Sequence, residues 1–93
     1  MIVNDVEFCL RMARALLPTR PLKAATFVNR ALAETVDPRL RFLVLPAVSM
    51  IENYDIEAAD RWLDRALKYH EARRADRLAA SLAASRFGDS HRR

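Results

Sequence analysis

The chain has 93 residues, 52% of them hydrophobic, with one glycine and four prolines. That length supports one small domain with a modest core, and a composition rich in Ala and Leu with so few turn formers favours helices over strand hairpins. The formal net charge is +4, and the six arginines from Arg73 onward, set against Asp76 and Asp89, carry all of the excess.

The first helix is predicted from Asp5 to Leu17, with Asn4 as its cap and Glu7 three residues on. Phe8, Cys9, Met12, Ala15 and Leu16 form an apolar stripe at helical spacing, and Glu7–Arg11 is a favourable i,i+4 pair. Pro18 and Pro21 end this helix and bracket a short connection. A second helix is predicted from Pro21 to Glu34, with Ala24, Phe27, Val28, Ala31 and Leu32 turned inward. Asp37-Pro38 then marks the clearest boundary in the chain, a capping carboxylate followed by proline at the first helical position.

The third predicted helix runs from Leu40 through Ile51 and is apolar almost all round, as befits a helix covered on several sides. Pro46 removes a backbone donor there and predicts a kink or break near Phe42–Pro46. A strand at Arg41–Leu45 is the competing reading, although no second strand is in view to pair with it. Asn53-Tyr54-Asp55 is the next connection, with Asp55 the cap of a fourth helix over Ile56 to His70. That helix would bury Ala59, Trp62, Leu63, Ala66, Leu67 and Tyr69 and leave Glu57–Arg61 and Asp64–Lys68 in water. Helical continuity beyond about 25 residues is uncommon in a globular domain, which favours a break near His70–Arg73 and a fifth helix over Ala72 to Arg86. Against that break, neither Gly nor Pro occurs between Asp55 and Phe87. Residues 1–88 are read as one helical domain, capped at Gly88, with 89–93 a disordered basic tail.

The chain says nearly the same thing twice. Phe27-Val28-Asn29-Arg30-Ala31-Leu32 is echoed 35 residues later by Trp62-Leu63-Asp64-Arg65-Ala66-Leu67, and Ala24 sits over Ala59. Such a period signals helical hairpins that bury their apolar faces on one another. The small–bulky–small sets Ala24, Val28, Ala31 and Ala59, Leu63, Ala66 resemble helix B of a tetratricopeptide repeat. Leu43, Ala47 and Met50 then take helix A positions of the second unit, and Phe8 that of the first. Met12 stands where a small residue is usual, Pro46 interrupts helix A, and the last helix fits the repeat poorly and would cap it. The resemblance implies an all-α fold of about five helices in antiparallel hairpins, stacked as a right-handed solenoid. In size and fold it is also similar to small cytoplasmic chaperones of type III secretion needle subunits.

Little in the sequence points to catalysis. Cys9 is the one cysteine, so no intramolecular disulfide or Cys-based zinc cluster forms, and His70 and His91 are remote from it in sequence. Metal ligands at helical spacing are missing, and Asp60 and Asp64 read as a solvated face among Arg61, Arg65 and Lys68. No cofactor is expected, since a single Gly cannot build a phosphate loop. The amino terminus lacks the basic start and apolar run of a secretory signal, and the longest apolar run, Phe42 to Val48, is too short to span a membrane. A cytoplasmic, non-enzymatic interaction module follows, an adaptor or small chaperone holding a partner helix or extended peptide, or associating with itself. Arg11, Arg14, Arg41, Phe42, Val48 and Ile51 are its candidate partner-binding residues. The alternative is a nucleic-acid-binding or regulatory protein that lays Arg73, Arg74, Arg77 and Arg86 on phosphates. Weaker still is an amphipathic contact of the same helix with a membrane surface.

Overall fold

The computed structural model describes residues 5–91, with side chains up to residue 84. Four α-helices follow one another: α1 (Asp5–Leu16), α2 (Pro21–Glu34), α3 (Pro38–Glu52) and α4 (Ile56–His91). No strand occurs among the described residues, and Arg41–Leu45 is helical. The connections are three or four residues long, which folds successive helices back on one another.

Each boundary has a local cause. Pro21 takes the first position of α2, where a missing N–H costs nothing. Asp37 caps α3 by accepting from the Arg39 amide at 2.9 Å, and Pro38 follows it. The end of α3 is closed without glycine. Tyr54 adopts a positive φ of 58°, its amide donates to the Ile51 carbonyl, and the Asp55 amide reaches back to the Met50 carbonyl at 2.8 Å. This is the Schellman arrangement, with a tyrosine where glycine is usual, at a conformational cost of about 1 kcal/mol. Asp55 then caps α4, accepting from the Ala58 amide.

The helix α3 runs continuously across Pro46, so the expected kink or break is not a break. One expectation needs correction. The predicted fourth and fifth helices are a single helix of 36 residues, with no interruption at His70–Arg73. Side chains of that turn are tied to the rest of the molecule, and a bend there would break the ties. Tyr69 donates to Asp37 at 2.7 Å, Glu71 pairs with Arg11, and Arg74 pairs with Glu7 at 2.7 Å. Gly88 stands inside the helix rather than at its cap, and the stretch expected to be a disordered tail begins within it; Arg92 and Arg93 lie outside the described residues.

α1 packs chiefly on α2 and α3 chiefly on α4; α2 also meets α3, and α4 returns to α1, which closes the ring. The core sits inside that ring. Leu10, Leu17, Val28, Val44, Ile51 and Leu63 fill it, while Ala13, Ala24, Ala31, Ala47, Ala59 and Ala66 let the helices approach. Both echoed triplets are thus fully buried. The stripe expected for α1 is shifted, because its buried residues are Cys9, Leu10 and Ala13. Phe8 is half exposed at the edge, edge-on to Phe27 at 6.2 Å between ring centres.

The outer part of α4 is different. From Ala72 to Ala84 every residue is exposed. The molecule measures 60 × 24 × 19 Å with a radius of gyration of 16.4 Å, against about 12 Å for a compact chain of this length. The excess is this helix, extending past the end of the bundle.

Candidate docking surface

The helical stripe Leu40, Val44, Ala47 and Ile51 turns α3 toward the core, which places Phe42 and Leu45 on its far side. Phe42 is 75% exposed and Leu45 58%, so α3 is not covered all round. With Leu32 of α2, Pro38 and Arg41 they line a groove of about 180 Å³. Arg41 donates its guanidinium to the Leu32 carbonyl, so the rim of this apolar groove carries a fixed positive charge. Val36, in the α2–α3 connection, is 94% exposed.

Of the other partner-binding candidates, Val48 is half-buried against the core and Ile51 is fully buried, so Ile51 cannot touch a partner. Arg14 is engaged internally. Its Nε and Nη2 donate to Asp60 at 2.9 and 3.2 Å, and its Nη1 donates to Asp64 at 3.0 Å, across from α1 to α4. The Asp60 hydrogen bond holds the Arg14 guanidinium still more firmly protonated. Asp64 lies below the usual carboxylate range because of Lys68 at 3.0 Å, and Arg14 adds to the effect. Asp60 and Asp64 are therefore half of an interhelix clasp rather than a merely wet face. Arg11 is exposed and pairs with Glu7 at 3.0 Å and with Glu71.

The basic residues are also partly committed. Arg74 pairs with Glu7, and Arg73 approaches Asp37 at 4.0 Å. Arg77 lines a small cleft with Glu34, Asp37, Tyr69 and His70 at the end of the bundle. The Arg86 side chain lies outside the described ones. Arg73 and Arg74 thus fasten the outgoing helix to the bundle.

Burial pushes the Cys9 thiol up, keeping it protonated. No cluster of three or more metal-ligating side chains occurs among the described residues, and no helix there is long and apolar enough to cross a membrane. Asp37 is held below the ordinary carboxylate range by the Tyr69 hydroxyl and the α3 amides, which is a structural task.

His70 is held below its ordinary pKa by burial, against the opposing pull of Glu7. The folded state thus favours neutral imidazole, and protonation as pH falls below about 6.5 goes to the unfolded chain first. Stability is expected to fall as pH drops from about 6.5, before the lowered Asp37 and Asp64 weaken it further below about 4. Melting temperatures at pH 7.5 and 5.5 check this: the drop should shrink in His70→Asn, and an equal drop would show that His70 is not its source.

Comparison with known proteins found no family model, curated protein or solved structure that matches the chain.

Proposed function

We propose that the chain is a non-enzymatic protein–protein interaction module, an adaptor or small chaperone, whose docking face is the α2–α3 groove. The observation that carries this is the exposure of Phe42 and Leu45 beside Leu32, Pro38 and Arg41. A 93-residue chain gains nothing for its own core from a large aromatic ring held in water, and such patches mark contact sites. The groove suits one or two apolar anchors of a partner helix or extended peptide, with a carboxylate beside Arg41.

The repeat reading supports this. The tightest helix pairs are α1 with α2 and α3 with α4, as two tetratricopeptide-like hairpins would be, and the echoed triplets occupy equivalent buried places. The α4–α1 contact departs from an open solenoid, and it confines docking to the outer faces of the ring. A cytoplasmic chaperone of an aggregation-prone helical subunit, as in type III secretion, is the sharpest form of the proposal.

The test is Phe42→Glu. Co-expressed in its native host, the unmodified chain should elute as a stoichiometric complex with a protein partner. Phe42→Glu should elute alone, with unchanged circular dichroism and melting temperature. A complex that survives the substitution, or none in either case, sinks the reading.

A further inference from the structure

Leu78 and Leu82 are 63% and 58% exposed on the part of α4 that stands clear of the bundle. With Ala72, Ala75, Ala79 and Ala83 they fill an arc of about 140° on an ideal helix. That arc does not continue the buried face of α4. Ala59, Leu63, Ala66 and Leu67 are buried, and the outer stripe lies roughly 150° around the helix from them. The bundle's own core therefore cannot cover it. Followed back toward the bundle, the stripe gives way to charge, with Glu57, Arg61, Asp64 and Lys68 at the corresponding positions. The apolar face is confined to the free half of the helix.

We propose that this half of α4 is a self-association element, pairing two copies antiparallel through Leu78, Leu82 and the alanines beside them. The distribution of charge and size decides for a second copy in this orientation. A parallel pair would run each of Glu57, Arg61, Asp64 and Lys68 alongside itself, like charge against like. Antiparallel helices crossing between Ala80 and Ser81 leave those charged halves apart in water. In that register Leu82 of each copy meets Ala79 of the other, Leu78 meets Ala83, and Asp76 comes level with Ser85 rather than another acid. Large side chains thus meet small ones on both halves of the contact, which close helix approach requires. Arg73 and Arg74, turned to Asp37 and Glu7, do not oppose the contact. The helices overlap along about 30 Å and join mainly alanines with two leucines from each copy, a smaller contact than a standard interface, so the dimer is concentration-dependent.

Light scattering on the full chain over about two decades of concentration should show the mass rising from one copy toward two. Leu78→Glu with Leu82→Glu should remain a single copy throughout, with unchanged melting temperature. Ser81→Glu, off the stripe, should still dimerise. Orientation is read by disulfide trapping in a Cys9→Ala background. A75C mixed with R86C should cross-link, while A75C alone should not, because antiparallel pairing sets its two copies about 16 Å apart along the axis. A single copy at every concentration, a dimer indifferent to the double substitution, or self-cross-linking of A75C would each overturn the proposal.

Discussion

Ile51→Glu should abolish folding, where Phe42→Glu, nine residues earlier on the same helix, should leave it intact. Ile51 is fully buried and sits where α3 packs on α4 with Val44, Ala47 and Leu63. A carboxylate there has no cationic partner within the core, and burying it unpaired costs several kcal/mol beyond the roughly 2–5 kcal/mol lost with the aliphatic side chain. A domain of this size holds about 5–15 kcal/mol in total, so the variant is expected to be unfolded at 25 °C. Phe42 forfeits little, because most of its ring is already in water. Circular dichroism and thermal melting of the two variants side by side make the measurement. Equal unfolding would place Phe42 in the core and remove the groove; equal stability would remove Ile51 from it.

The contrast shows what was legible in the sequence and what was not. Spacing alone distinguishes Leu40, Val44, Ala47 and Ile51 from Phe42, since the four recur at i, i+4, i+7 and i+11 and Phe42 falls on the opposite side. The near-uniform apolarity of α3 hides that distinction when it is read as a helix covered on several sides. The ends of α2 and the start of α3 were legible for a stronger reason, because proline at a first helical position is nearly unambiguous. The end of α3 at Tyr54 carried no such mark, and its left-handed tyrosine works only because two backbone bonds hold it.

What the sequence did not disclose is long-range charge pairing. Glu7–Arg11 and Asp64–Lys68 are close in sequence and follow from helical spacing. The clasp of Arg14 by Asp60 and Asp64 joins residues almost fifty positions apart, and only the return of α4 to α1 creates it. The same return joins Arg74 to Glu7 and Arg11 to Glu71. Those contacts also explain the one long helix. The rarity of helices beyond about 25 residues suggested a stop near His70–Arg73, yet nothing chemical marks that stop, and the ion pairs reward continuation across it.

Ala75→Pro should separate the two parts of α4. Proline inside a helix removes one backbone bond and clashes with the carbonyl four residues back, at a cost of about 3 kcal/mol. Residues 56–74 are held by buried Ala59, Leu63, Ala66 and Leu67 and by the contacts of Tyr69, Glu71 and Arg74, so they should stay helical. Beyond Ala75, Arg77 borders the cleft at the end of the bundle but no described side chain is buried, and an isolated segment of about 15 residues is marginal in water. It should melt. Ellipticity at 222 nm is expected to fall by roughly a fifth, the share of the helical residues that residues 75–91 represent. The melting temperature of the bundle should hardly move, because those residues bury nothing within it. Concentration-dependent mass should be lost with the helicity, since the paired stripe exists only on a folded helix. Unchanged ellipticity would mean that this stretch is not helical in solution, whereas a large fall in melting temperature would mean that it packs on the bundle after all.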